Sequence, residues 1–325
     1  MRSSSFAVLR TLAEGRFRSG ADIGDALGLS RAKVAQAVRE IEAHGPKILR
    51  ARGRGYRLQA PFDGLDADAI AARLGRHRGS VRVELRDQSE STNTALAARA
   101  DAGAPSGTVV ACELQRAGRG RRGATWYSGL GTSLTFSMLW RFEWGAAALG
   151  GLSLAVGVAC VRALARLGLR QVALKWPNDL IVDDGKLGGI LVELGGEPLG
   201  PTAALIGVGI NVRMPAHARR AIGRPVADLA TAGEEPLARS AVLGELLAAL
   251  ADALPVFARA GFAPFRDEWL RHHAYQGRRV RLLVPPHRAV EGVATGVAED
   301  GALVVEHRGG VERFHSAEVS VRRAA

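Results

Sequence analysis

The chain has 325 residues, 47% of them hydrophobic, with a formal charge of +12 at pH 7. That is enough for two or three domains with sizeable cores, and the charge favours anionic partners such as nucleic acid or nucleotides. The two cysteines, Cys112 and Cys160, lie in apolar runs and exclude a disulfide framework or a metal-ligating cysteine cluster.

Met1 to Ser5 is polar and the apolar residues after it are interrupted, so no signal peptide is expected. Phe6, Leu9 and Leu12 recur at helical spacing, and Ile23 and Leu27 mark a second short helix. Gly28-Leu29-Ser30 reads as a tight turn with Ser30 as the N-cap of a third helix, whose Val34, Val38 and Ile41 form one buried stripe. This predicts a helix-turn-helix. Off the stripe the third helix carries Arg31, Lys33, Gln36 and Arg39. Ile48-Leu49-Arg50 and Tyr56-Arg57-Leu58 then flank Arg52-Gly53-Arg54-Gly55, a short hairpin with an arginine tip, or wing. Up to Gln59 there are 12 basic and 5 acidic side chains, so +7 of the charge lies here. Recognition helices enter the major groove and basic wing tips reach backbone or minor groove. The DNA-contacting candidates are therefore Ser30, Arg31, Lys33, Gln36, Arg52 and Arg54. A helical protein-interaction module with solvated charges is the alternative.

Ala60 to Gly64 reads as a linker, followed by a helix capped by Asp66 and carrying Ile70 and Leu74. Val81 to Leu85 alternates as a strand, and Ser91-Thr92-Asn93 opens a helix through about Ala100, its small hydroxyls placed as caps. Thr108 to Leu114 is a short, largely apolar strand. It leads into Gln115-Arg116-Ala117-Gly118-Arg119-Gly120-Arg121-Arg122-Gly123, with Trp126 following. Arginine forks match phosphate or carboxylate oxygens in pairs, and glycines let the backbone approach a ligand at an entropic cost that leaves the empty loop mobile. The spacing is neither a Walker A loop nor a dinucleotide fingerprint. The loop residues alone fit a solvated basic loop equally well.

Ser133 to Trp140 predicts a strand. Trp144 to Val161 carries no charge over roughly the length of a membrane span, but its glycines and the continuing Arg162 and Arg166 predict a buried helix, Ala146 to Leu167. Strands follow at Leu180–Val182, Leu187–Leu194 and Ala204–Val208, with a hairpin turn at Asp183-Asp184-Gly185. Residues 213–236, with Pro215, Pro225 and Pro236, read as a long connection. Leu237 to Leu254 is a helix with Leu243, Leu246, Leu250 and Leu254 on one stripe, and Phe262 to Tyr275 another. From Arg278 onward, β-rich pieces alternate with turns at Pro285-Pro286, Asp300-Gly301 and Gly309-Gly310, which suggests a small barrel. Hairpins mixed with a few helices predict an α+β fold with a largely antiparallel sheet.

Lys175-Trp176-Pro177-Asn178-Asp179, Lys186 after the hairpin turn, the Gly-Arg-Gly-Arg-Arg-Gly block with its tryptophan, Ser91-Thr92-Asn93 and Gly207-Val208-Gly209-Ile210-Asn211 occur in order. Together they resemble the biotin–protein ligase family, and more closely its bifunctional ligase/repressors, from about residue 4 to about residue 322. The resemblance implies three parts: a winged helix-turn-helix at 1–62, a catalytic domain at 63–275 similar to class II aminoacyl-tRNA synthetases, and an SH3-like β-barrel at 276–325. It implies biotin contacts from Ser91, Thr92, Asn93, Gln115, Arg119, Gly120, Arg121, Lys186 and Gly207. ATP or adenylate contacts are expected from Arg121, Arg122, Trp126, Lys175, Asn178, Asp179 and Asn211, with Lys186, Arg119 and Arg121 as the catalytic cations. Mg²⁺ is expected to arrive with ATP; the sequence leaves its ligands open, and no tightly bound prosthetic group is expected. The implied partners are a biotin carboxyl carrier protein, operator DNA and a second copy of the chain when adenylate is bound, in the cytoplasm and with no membrane. Two departures stand out: Arg116 where relatives often carry glutamine, and Gly188-Gly189 where Ala-Gly is more usual. A lipoate ligase, or a regulator that senses biotin without ligating it, are the rival functions.

Overall fold

The computed structural model describes residues 1–196, 200–284, 288–315 and 318–321. Helices α1 (Ser3–Ala13), α2 (Gly20–Leu27) and α3 (Arg31–Ala43) open the chain. Phe6, Leu9 and Leu12 of α1, Ile23 of α2 and the Val34, Val38, Ile41 stripe of α3 are buried together. The predicted cap is present, Ser30 Oγ accepting the Lys33 backbone N–H at 3.3 Å; such caps contribute about 1 kcal/mol. Strands β1 (Ile48–Ala51) and β2 (Gly55–Leu58) pair antiparallel. Their tip presents Arg52 and Arg54 exposed, as α3 presents Arg31, Lys33 and Gln36. Arg54 and Arg57 lie over the Phe17 ring at 4.5 and 5.0 Å.

The central part runs α4 (Ala67–Leu74), β3 (Arg82–Ser89), α5 (Thr92–Asp101), β4 (Thr108–Gln115), β5 (Ser133–Phe142), α6 (Leu152–Arg166), β6 (Ala173–Lys175), β7 (Asp179–Val182), β8 (Gly185–Gly196) and β9 (Thr202–Asn211). The strands form a seven-stranded sheet in the order β3-β4-β5-β9-β8-β7-β6. Only β3 and β4 are parallel, and α5 is the crossover between them; every other neighbouring pair is antiparallel. The sheet is therefore mixed but largely antiparallel, as hairpin-rich order requires. Leu96 of α5 packs on Val110 and Leu139. The apolar core takes α4, α6 and two later helices, α9 (Arg239–Ala260) and α10 (Ala263–His272), with short α7 (Ala216–Ile222) and α8 (Leu229–Ala232) before them.

Strands β10 (Arg279–Val284), β11 (Arg288–Val297), β12 (Leu303–His307), β13 (Gly310–Phe314) and β14 (Glu318–Val321) form a second, antiparallel sheet, ordered β13-β12-β11-β10-β14. Its Val280, Leu282, Leu303 and Val305 belong to the same contiguous core as the central helices, whereas the first three helices pack around a core of their own. Leu114 and Leu130 reach into that separate core from the central part.

Several expectations change. The helix expected over 146–167 is broken: a 3₁₀ turn (Ala146–Leu149) precedes α6, and Gly151 takes φ 78° between them. A β-carbon on Gly151 would meet Phe262 at 2.7 Å, and one on Gly301 would meet the Gly151 Cα at 2.6 Å. Two glycines thus allow the 3₁₀ turn's exit to touch the β11–β12 turn, a close approach that overrides the periodicity. The chain reverses between β7 and β8 through Asp183 (φ 47°) and Asp184 (φ 63°), both left-handed, so the central turn residues are the two aspartates rather than Asp184-Gly185. Residues 213–236 hold α7 and α8 rather than an unstructured connection. The Pro285-Pro286 turn lies outside the described residues. Both helical stretches apolar and long enough to cross a membrane, Ala146–Arg166 and Arg239–Ala260, are 67% buried in their most apolar windows. The two cysteines are free and buried, with burial pushing their thiols up to about 11 for Cys112 and about 12 for Cys160.

Candidate active site

One face of the large sheet carries a cavity of about 350 Å³. Ser91, Thr92 and Asn93 at the start of α5, Gln115 at the end of β4, and Arg119, Gly120, Arg121, Arg122 and Trp126 of the following loop line it. So do Lys175, Asn178, Asp179 and Lys186 from β6 to β8, and Gly207 of β9. Residues far apart in sequence meet here because β4, β9, β8 and β7 are near neighbours in the sheet. Asn211 is the exception. It lies behind the wall, 5% exposed, its Nδ2 donating to the Lys186 and Ala227 carbonyls at 2.9 and 3.1 Å. Its observed contacts hold the Lys186 backbone.

The polar end is a closed hydrogen-bond set. Gln115 Oε1 accepts from the Thr92 N–H at 2.7 Å and from Thr92 Oγ1 at 3.1 Å. Ser137 Oγ bonds Thr92 Oγ1 at 2.7 Å and Asn93 Oδ1 at 2.5 Å. Asn93 Nδ2 donates to Glu193 Oε2 at 2.7 Å. Ser91 sits at the N-cap position of α5 without a side-chain cap bond, so its expected capping role is absent. Gly207 is tight for a reason the sequence hides: a β-carbon there would lie 2.5 Å from Asn93 Oδ1.

The loop folds back on itself. Gly120 N–H reaches the Ala124 carbonyl at 2.6 Å, and Trp126 N–H the Gly118 carbonyl at 2.9 Å. Arg122 takes φ 55° inside a short 3₁₀ turn. Trp126 then lies on the sheet, where a β-carbon on Gly209 would be 2.5 Å from its ring and one on Gly189 3.6 Å. Its indole Nε1 is buried with no hydrogen-bond partner among the described residues, and Lys186 Nζ stands 5.8 Å from the ring.

The charges are unevenly matched. Asp179 is the one carboxylate among the described lining residues, and it is held by Lys186 Nζ at 2.5 Å. Arg119 is held by Glu193 at 2.9 Å. Arg121 has no acceptor among the described residues, and burial, with Arg122 beside it, lowers its pKa. Asp179 acts the other way, but it is already held by Lys186, so an entering anion offsets the cost of burying the guanidinium. Lys175 Nζ stands 5.7 Å from the Tyr275 ring. Asn178 is tied to Ile190 through its side chain (2.7 Å) and its backbone carbonyl (2.9 Å), which fixes the wall. The described residues contain no cluster of three or more His, Cys, Asp or Glu. A single lining carboxylate suits a magnesium ion carried in on nucleotide phosphates better than an all-protein site.

Several features were missed in the sequence, Ser137 and Glu193 of the polar set among them. Arg224 joins the wall because Lys186 pairs with Val226 across the chain; nothing local signals it. Arg239, 0% exposed, donates to Glu113 Oε2 at 2.5 Å and to the Asp63 carbonyl at 2.7 Å, pinning residues 63–65 beside the strand that ends in Gln115.

An arginine-rich cavity with a single lining carboxylate, on a mixed sheet, with a polar set at one end and a tryptophan on its floor, suits a small polar molecule carrying negative charge. Residues 85–211 match the Biotin/lipoate A/B protein ligase family, and residues 275–322 match the Biotin protein ligase C terminal domain. The chain is 36% identical over 317 residues to the Bifunctional ligase/repressor BirA of Salmonella typhimurium, covering 98% of this chain and 97% of that one. The same protein of Escherichia coli matches at 36% over the same shares. The structure of the biotin protein ligase from Aquifex aeolicus in complex with biotin and ATP aligns with a TM-score of 0.63 and 26% identity, over 75% of this chain and 99% of that one. The chain belongs to the biotin–protein ligase family, among its bifunctional ligase/repressors.

Proposed function

We propose that the protein joins biotin to ATP to make biotinoyl-5'-AMP, transfers biotin to a lysine of a biotin carboxyl carrier protein, and represses biotin-synthesis genes when it holds the adenylate. The observation that carries this is the pairing, in one cavity, of a polar set at Thr92, Asn93 and Gln115 with Arg121, a partly buried cation in no ion pair with a described residue. Membership of the ligase/repressor family, with biotin and ATP bound in the Aquifex relative, supports it.

In the first step a biotin carboxylate oxygen attacks the α-phosphorus of ATP and pyrophosphate leaves. In the second a carrier-lysine amine attacks the acyl carbon and AMP leaves. Neither step needs a nucleophile from the enzyme. Two anions must be brought together, so the work is positioning and charge stabilisation. Biotin's polar ring is received by Ser91, Thr92, Asn93 and Gln115, whose Nε2 has no acceptor among the described residues, with Gly207 and Gly120 giving backbone room. Arg121 and Lys186 stand at the meeting point, and Arg119 belongs to the same loop. Lys186 exchanges Asp179 for the carboxylate. Trp126 packs on the adenine, with Arg122, Lys175, Asn178 and Asp179 toward ribose and phosphate, and Asn211 supporting them through Lys186. Magnesium bound to ATP would neutralise phosphate charge, with Asp179 the carboxylate able to face it. Closure of the loop excludes water and protects the adenylate.

The first three helices and the hairpin are read as a winged helix-turn-helix (1–62) for operator DNA. Residues 63–275 are the catalytic domain, similar to class II aminoacyl-tRNA synthetases, and 276–325 an SH3-like barrel. The setting is cytoplasmic and the repressing form a homodimer. Incubation with biotin, ATP and a biotin-carrier domain, read by intact mass, tests the reading. Biotin mass on the carrier with pyrophosphate release is expected. Lipoate mass instead would make this a lipoate ligase, and no transfer with biotin-dependent DNA binding would leave only a sensor.

A further inference from the structure

We propose that Glu193 is a positioning residue for the arginine loop, fixing Arg119 and with it the loop over the polar end of the cavity. The inference rests on the biotin reading of that cavity. A single carboxylate oxygen, Glu193 Oε2, takes both Asn93 Nδ2 at 2.7 Å and Arg119 Nη2 at 2.9 Å. Asn93 is 2% exposed and immobilised on three sides: Ser137 bonds its Oδ1, the Leu191 carbonyl lies 3.4 Å from its Nδ2, and Gly207 lets it pack against β9. Glu193 itself sits on β8, paired with Leu205 of β9. The carboxylate therefore joins a loop to a rigid floor. Arg116 of the same loop pairs with Glu90, both more than half exposed.

The chemistry separates the arginines. An anion cannot draw full charge from a guanidinium already satisfied by a carboxylate, so Arg119 serves as a tether. Arg121 makes no ion pair with a described residue, and Asp179, whose charge attracts it, is already held by Lys186, so Arg121 is the cation left for substrate. Asn93 is also bonded through Ser137 to Thr92, which bonds Gln115. The groups that seat the ligand's polar ring thus carry the tether.

The test compares Glu193→Ala, which removes both contacts, with Glu193→Gln, which keeps an oxygen for Asn93 and removes the charge facing Arg119. Two readouts are taken beside the melting temperature: tryptic cleavage after Arg121 and Arg122 in the ligand-free protein, and KM for biotin against kcat in pyrophosphate release. For Glu193→Ala, cleavage and KM should both rise about five- to tenfold, the scale of one half-exposed ion pair and one hydrogen bond, with kcat nearly unchanged. Glu193→Gln should fall between, and adding Arg119→Gln to Glu193→Ala should leave the cleavage rate where Glu193→Ala puts it. Unchanged cleavage and KM at an unchanged melting temperature would overturn the proposal, as would a fall in kcat with KM intact. If the wild-type protein makes no adenylate, the biotin reading fails, while the cleavage rates in the ligand-free protein still decide the role of Glu193.

Discussion

Arg121 and Lys186 are both cations in the cavity, but their removal has different physical consequences. Arg121 is desolvated beside Arg122 without an acceptor among the described residues, so Arg121→Ala should leave the melting temperature unchanged or slightly raised. Lys186 holds Asp179 at 2.5 Å with both side chains mostly buried, so Lys186→Ala strands a carboxylate and should lower it. Each should reduce pyrophosphate release by about 100-fold, the scale of one preorganised charge at a reacting centre. Turnover near wild type in either variant would contradict its place at the centre. These residues were legible because each stands in a dense local block: arginines among glycines, or a lysine just past a turn. Asn211 and Gly207 were legible as positions, but their present contacts were not. Their immediate partners, Lys186 and Asn93, are set by strand neighbours and not by spacing along the chain. The buried Arg239–Glu113 pair had no local signal, since its partners are 126 residues apart.

At the scale of elements, helices with a clean stripe and a cap were read closely, as α3 and its Ser30 show. The reading failed where backbone met backbone, as at the break before α6. The β1–β2 hairpin packs through Ile48 and Leu58 on a different core from the sheet that carries the cavity. Arg52→Ala with Arg54→Ala should therefore weaken operator binding and spare ligation. Each arginine that contacts a phosphate should take about one unit from the slope of log affinity against log salt. A gel-shift series at several salt concentrations, run with the ligation assay, checks both halves. Past the end of α10, His273 is 7% exposed, stacks on Trp269 with ring centroids 4.5 Å apart and bonds Gln276 at 3.1 Å. Burial lowers its pKa, against a smaller opposing effect of the Gln276 bond. The folded state thus favours the neutral ring, and the unfolded chain takes the proton first. The stability this gives is complete above the unfolded value of about 6.5 and is lost as pH falls from there toward the folded value. Thermal melts from pH 8 to pH 5 should show a declining midpoint, with a shallower decline in His273→Gln.

Across the whole molecule, the order of helices, hairpin, mixed sheet and final antiparallel sheet was legible because composition and period change along the chain. How they join was not, because burial between parts leaves no periodic trace. Regulation follows from the joins. The arginine loop, the linker pinned by Arg239 and the helical core entered by Leu114 all adjoin strand β4. Adenylate that favours the ordered loop should favour a dimer-competent state to the extent of its differential affinity. Sedimentation velocity should show mainly monomer without ligand and more dimer with biotin and ATP, with tighter operator binding in parallel. An unchanged balance and unchanged operator affinity would leave a ligase with an uncoupled DNA-binding end. The two ends of the chain also differ in how freely they could be exchanged between relatives. The helical end brings its own core. The last sheet shares its core with the central helices, and it meets them where Gly301 touches Gly151 with no room for a side chain on either. Recombination at the linker should yield folded chimeras. A graft of another ligase's final sheet should fold only if it brings a glycine of its own to meet Gly151, so inheritance can shuffle the repressor end while the two halves of the ligase must stay matched at this contact.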